Sequence, residues 1–162
     1  LDKAWSLGHR RLGVALQAAL RRSEDDVRHL IEQGVPVRLV KGAYKEPAAV
    51  AYQQKSDVDA AFVRLMHRLL ASGTHPAIAT HDPAMLADAR TFVGAHGIPP
   101  DRYEFQMLYG IRRDLQSELT EAGLAVRIYL PFGTEWFPYF MRRLGERPAN
   151  VGFVLRSLLH DR

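Results

Sequence analysis

The sequence predicts an α/β fold in which short parallel strands alternate with helical crossovers. Three observations carry that expectation. Runs rich in β-branched and aliphatic residues alternate five times with longer amphipathic runs. These units recur at roughly 25–40 residues, room for a strand, a crossover helix and two loops. No composition break, low-complexity tract or linker interrupts the 162 residues, and with 47% hydrophobic and 25% charged residues they suit one globular domain, 1–162. An open doubly wound sheet and a partial (β/α) barrel both fit this pattern.

The first strand is expected at Leu12–Gln17, followed by a helix over Ser23–Glu32. Ser23 suits the helix cap, and Glu24, Asp25 and Asp26 complement the dipole of its first turn. Gly34 ends that helix, and Val35–Val40 reads as the second strand. Phe62, Leu65, Met66, Leu69 and Leu70 recur at helical spacing within Asp57–Leu70. A third strand is expected at His75–Ala79, then a helix with Asp82 as cap and Pro83 at its first position, running to about His96. Tyr103–Leu108 and Ala125–Leu130 read as strands four and five, with a helix over Ile111–Ala122 between them. Two further helices are expected over about Glu135–Gly145 and Val151–His160.

Composition and motif searches exclude several chemistries. There is no cysteine, hence no disulfide, thiolate metal site or cysteine nucleophile. No apolar run approaches the roughly 18 residues of a membrane span. The N-terminus does not read as a signal peptide, and without an initiator Met it is expected to lie inside a longer protein. The net charge of +4 comes from interspersed residues, weak support for a nucleic-acid surface. Dinucleotide, Walker, zincin and nucleophile-elbow motifs are absent. The seven histidines are scattered without metal-ligand spacing, so no metal is expected, and His29, His67 and His96 read as solvated or structural.

Polar residues fall near the same end of each strand: Gln17; Arg38, running into Lys41-Gly42-Ala43-Tyr44; Thr80-His81; Glu104 and Gln106, in a strand that ends in the apolar Leu108; Arg127 and Tyr129. In parallel α/β folds, ligands bind outside the carboxyl ends of the strands. Arg38 inside VPVRLV is costly unless it meets an anion or strong acceptors; a buried carboxylate such as Glu104 is the structural alternative. Thr80-His81 precedes a helix N-terminus, where phosphate is favoured, or simply neighbours an Asp82 cap. Lys41-Gly42 reads alternatively as a tight bend with a solvated lysine.

Tyr139, Arg142, Arg143 and Glu146 can share one side of the next helix. Adjacent arginines oriented by Glu146 could grip a carboxylate, against the alternative of a solvated basic stripe.

LGVALQA, VRLVKGAY, ATHDP, YEFQMLYGI and RIYLPFG…YFMRRLGERPAN occur in that order between about Leu12 and Val154. On these stretches the chain resembles the catalytic domain of proline dehydrogenase, and WFPYFMRRLGERPAN resembles the single-function bacterial branch. The resemblance implies a distorted (β/α)8 TIM-type barrel holding FAD at the strand carboxyl ends, with this chain supplying about the last five β/α units plus a C-terminal helix. It implies Arg38 beside the flavin N5, Gln17 on the flavin pyrimidine edge, Lys41, Gly42 and Ala43 along the FAD loop, and Thr80 and His81 at the phosphates. Arg142 and Arg143 would clamp the proline carboxylate, Leu108, Tyr129 and Tyr139 would pack on the ring, and Glu146 would orient an arginine.

The implied reaction is oxidation of L-proline to Δ1-pyrroline-5-carboxylate by hydride transfer to FAD, with electrons passed to a quinone. Position 45 is Lys where bifunctional relatives often carry Trp, and the family's active-site Lys and Asp from the first strands have no counterpart here. The 162 residues alone are therefore expected to bind FAD weakly and to need the N-terminal part of the same barrel as partner. The implied location is the cytoplasm, with peripheral contact at the inner face of the membrane left open and no nucleic-acid partner. Two alternatives remain: a basic α/β module for polyanions or nucleic acid, and a flavin barrel like that of methylenetetrahydrofolate reductase.

Overall fold

A computed structural model of the chain describes residues 2–9, 12–42, 46–130 and 132–134. Its elements are α1 (Asp2–Ser6), β1 (Val14–Gln17), α2 (Ser23–Glu32), β2 (Val37–Val40), α3 (Lys55–Ser72), β3 (Ala77–Ala79), α4 (Pro83–Ala95), β4 (Glu104–Leu108), α5 (Arg113–Glu121) and β5 (Val126–Tyr129). The helices expected over 135–145 and 151–160 lie outside the described residues.

All five strands are parallel, and their spatial order is β1-β2-β3-β4-β5. A doubly wound sheet reverses strand order at a switch point, whereas a (β/α) barrel adds each strand beside the last. Strand order thus selects barrel topology from the two architectures left open by periodicity.

The strands are shorter than the apolar runs that announced them, because ladder bonds begin only where a neighbour begins. Pro36 has no N–H, but its carbonyl accepts the Val14 N–H at 3.0 Å, so β2 starts at Val37. Helix ends also have local causes. Gly34, with φ +69°, lets the chain leave α2 while Val35 N–H returns to the Leu30 carbonyl at 2.9 Å. Asp82 caps α4, its side chain accepting from Ala84 N–H with Pro83 in the first turn, as its sequence position indicated. Ser23 does not cap α2. Arg22 holds the cap position, and the buried Ser23 hydroxyl instead donates to the Gln17 carbonyl at 2.6 Å, tying α2 to the end of β1.

The core lies between the helices and one face of the sheet. Val37, Leu39, Ile78, Phe105 and Met107 supply the strand side; Val27, Phe62, Leu65, Met66, Leu69, Leu86 and Leu119 supply the helices. Phe105 is fully buried and takes the edge of Tyr103 at 5.7 Å between ring centroids. At the sheet edge, Ile128 and Tyr129 of β5 remain exposed, followed by exposed Leu130.

Replacing Phe105 with Ala should lower unfolding stability by about 3–5 kcal/mol, the usual cost of an aromatic-sized cavity in a packed core. Urea unfolding followed by circular dichroism measures it.

Candidate functional site

Register decides which side chains meet. Ala15, Arg38, Ala77 and Glu104 occupy one rung across the first four strands, and Val40, Ala79, Gln106 and Arg127 share the next with Gln17; Leu108 and Tyr129 form a third. All lie on the sheet face opposite the apolar strand residues of the core, because side chains alternate with period two. The expected site residues Gln17, Arg38, Leu108 and Tyr129 are therefore brought to one face.

On that face the polar groups are joined. Arg38 Nε donates to Gln106 Oε1 at 2.6 Å, and Gln106 Nε2 donates to Glu104 Oε1 at 2.6 Å. Arg127 closes the row with Nε and Nη2 on the two Glu104 oxygens at 2.8 and 2.7 Å. Arg38 is thus coupled to Glu104 through Gln106 rather than by the direct ion pair considered from sequence. Alanines at 77 and 79 make this geometry available, since the arginine must pass over β3 to reach β4. The hydrogen bond from Arg127, opposed by burial and aided by Gln106, holds the Glu104 carboxyl below its ordinary range.

Lys41 takes the opposite direction. Two residues beyond Leu39, it lies on the helix side, where Nζ meets Asp59 of α3 at 2.5 Å and Asp82 at 2.7 Å, above the ring of Phe62. Its side chain is 13% exposed, which rules out the alternative reading of a solvated lysine. Burial pushes both aspartates up, but bonding and charge from Lys41, with Lys55 adding to both, leave them below the ordinary carboxylate range. Asp59 went unnoticed in the sequence; its signal was a carboxylate in the first turns of the helix that follows the KGAY loop. Two carboxylates thus engage the Lys41 ammonium.

That backbone is fixed. Ala18 N–H donates to the Val40 carbonyl at 2.8 Å and Ala19 N–H to the Lys41 carbonyl at 2.9 Å, so the loops after β1 and β2 run side by side. Gly42 has φ +110°, and a Cβ there would stand 2.9 Å from Ala19 Cβ and 3.1 Å from Gln17 Oε1. The close approach requires glycine twice over, by conformation and by space.

Thr80 and His81 are both engaged at the carboxyl end of β3. Thr80 Oγ1 accepts the Asp82 N–H at 3.1 Å, and His81 Nε2 accepts the Leu108 N–H at 2.8 Å. Burial, with the nearby Arg112 charge, lowers the His81 pKa from 6.5 to about 4. A neutral ring accepting at Nε2 carries its proton on Nδ1, so His81 offers one N–H donor rather than a positive charge. Gln116 Nε2 steadies the same loop, donating to the carbonyls of Leu108 and Ile111 at 3.0 and 2.7 Å. Ala43, Tyr139, Arg142, Arg143 and Glu146 lie outside the described residues.

The donor set suits a flavin. Gln17 carries both an N–H donor and a carbonyl acceptor, matching the alternation of the pyrimidine edge. Arg38 supplies a fixed cation, Gly42 a cradle that a Cβ would fill, and His81 an N–H donor for an anionic group.

The family model for proline dehydrogenase matches residues 2–156. Proline dehydrogenase 1 of Bacillus subtilis is 48% identical over 149 residues, covering 92% of this chain and 49% of the relative. The proline dehydrogenase of Deinococcus radiodurans is 48% identical over 152 residues, covering 94% and 49%. The chain thus spans about half the length of the curated relatives it matches. Among solved structures, proline utilization A from Bdellovibrio bacteriovorus, inactivated by N-propargylglycine, superposes with a TM-score of 0.74 at 33% identity, over 82% of this chain and 16% of that one. A variant of the Bradyrhizobium japonicum protein gives 0.75 at 27% identity, over 91% and 17%.

The His81 environment has a pH signature. The unfolded chain takes up a proton near 6.5 that the folded chain accepts only near pH 4. Stability should therefore decline as pH falls between those values, by at most about 3 kcal/mol. Asp59, Asp82 and Glu104, lowered in the fold, contribute stability above roughly pH 4 that is lost as pH falls through their folded values. Urea titrations between pH 7 and 3 measure both phases, and His81→Gln should flatten the first while leaving the second.

Proposed function

The chain belongs to the proline dehydrogenase family, and on that premise we propose that it carries the flavin and proline sites of an enzyme oxidising L-proline to Δ1-pyrroline-5-carboxylate. The observation that carries the reading is Arg38: a guanidinium set by register on the polar sheet face, its Nε engaged and no hydrogen bond from its Nη groups to a described residue. Bound FAD would supply the acceptor for the substrate hydride, with a quinone taking the electrons onward.

The chain's own part is orientation and electrostatics. Arg38 would hold positive charge against the flavin ring where negative charge develops. Gln17 would fix the pyrimidine edge, and the backbone of Lys41, Gly42 and Ala43 would line the loop beside it. Thr80 and His81 would meet the phosphates, the histidine through Nδ1–H. Arg142 and Arg143 would grip the proline carboxylate in a bidentate clamp, with Glu146 orienting them. Leu108, Tyr129 and Tyr139 would pack on the ring, and register already sets Leu108 beside Tyr129. We also propose that these five strands join the N-terminal part of the barrel, since among the described residues β1 and β5 are sheet edges.

The test is a comparison of the chain alone with the chain co-expressed with that N-terminal part. The assembled protein should show flavin absorbance and reduce an artificial dye only when proline is added. Arg142→Met and Arg143→Met should each raise the proline KM by about tenfold to a hundredfold, from loss of charge-assisted bonds, with FAD content near wild type. Unchanged KM in both variants would remove the clamp, and absence of flavin from the assembled protein would remove the whole reading.

A further inference from the structure

Arg38 reaches Gln106 across β3, and Gln106 reaches Glu104 along its own strand. A primary amide has nearly the same shape either way round, so its neighbours choose its direction. Glu104, gripped at both oxygens by Arg127, is an acceptor with no proton to give. It can therefore receive only the amide N–H2 of Gln106, which turns the carbonyl towards Arg38. That carbonyl takes Nε–H and so restrains the guanidinium at Nε. Reversing the amide would confront the Glu104 carboxylate with a carbonyl and Arg38 Nε–H with an N–H2, two repulsions in a half-buried setting.

We propose that Gln106 is a positioning residue for Arg38, with its amide direction set by the Glu104–Arg127 pair. The proposal rests on the functional reading above, in which Arg38 faces the flavin. It assigns β4 a task distinct from ring contact by Leu108: the strand controls the orientation of the cation that β2 delivers. The alanines at 77 and 79 belong to the same device, because a larger side chain on either rung would stand in the path of the arginine.

The experiment uses the assembled, flavin-loaded protein and three readouts: proline kcat and KM, the reduction potential of bound FAD, and urea stability. Gln106→Met should lower kcat by about tenfold to a hundredfold, with KM within about twofold. The potential should move towards that of Arg38→Met. The exchange of Gln106→Glu with Glu104→Gln keeps the net charge of the row and an acceptor for Arg38 Nε–H, and should recover most of the kcat lost in Gln106→Met. On an Arg38→Met background, Gln106→Met should change neither kcat nor potential further, because the group it positions is gone. If Gln106→Met does not fold, Glu104→Gln decides, since it preserves side-chain size while removing the charge that directs the amide; it should shift kcat and potential in the same direction. Loss of urea stability with unchanged kcat and potential in these variants would reduce the row to a sheet-stabilising network and overturn the proposal. A wild-type assembly that binds no FAD would overturn the functional reading and this inference together, whereas flavin-loaded wild type with an indifferent Gln106→Met overturns the inference alone.

Discussion

The strand side chains of the described site take their places from the pairing register of a parallel sheet whose two faces meet different surroundings. With strands added in chain order, the described helices pack on one face and bury Val37, Leu39, Ile78, Phe105 and Met107. The alternate residues must then share the other face, so Arg38, Glu104, Gln106 and Arg127 become neighbours although up to 89 positions separate them, 127 less 38. A shift of one residue in any strand would send its polar set into the core and its apolar set out of it. Burial of the core thus enforces the geometry of the site at no separate cost.

The polar row satisfies the conditions under which a buried carboxylate, Glu104, is tolerated beside an exposed guanidinium, Arg127. Two guanidinium groups, one carboxylate and one amide share four hydrogen bonds. The negative charge of Glu104 is balanced at close range by Arg127, and the amide passes that polarity on to Arg38 without a second carboxylate. Among these four residues one net positive charge remains, which makes the row a place for a group that is electron-rich or becomes so.

The carboxyl end of the sheet is organised by a different set of contacts. Lys41 joins β2 to α3 and α4 through Asp59 and Asp82, while Ala18 and Ala19 bind the neighbouring loop by backbone bonds. His81 then joins the end of β3 to the end of β4 at Leu108. These links tie the loops to one another, so backbone N–H groups and the Gly42 approach keep fixed positions. The match to the proline dehydrogenase family model, over residues 2–156, includes all of these loops.

Much of this was legible in the sequence. Alternating apolar periods announced all five described strands and four of the described helices, and Gly34 and Asp82 marked helix ends correctly, because these signals act over a few residues. The short α1, Asp2–Ser6, carried no such periodicity. Sequence also marked Arg38 as a cation that needed partners, since a guanidinium in an apolar strand is expensive wherever the strand lies. It could not name the partner. The choice of Gln106 over Glu104, the capture of Glu104 by Arg127 and the turn of Lys41 towards Asp59 depend on which strands are neighbours and in what register. Ser23 illustrates the same limit: its residue type suits a cap, but the nearby end of β1 supplies a carbonyl that takes its hydroxyl instead. Local periodicity is written in adjacent residues, whereas partnership across a sheet is decided by the packing that brings distant residues together.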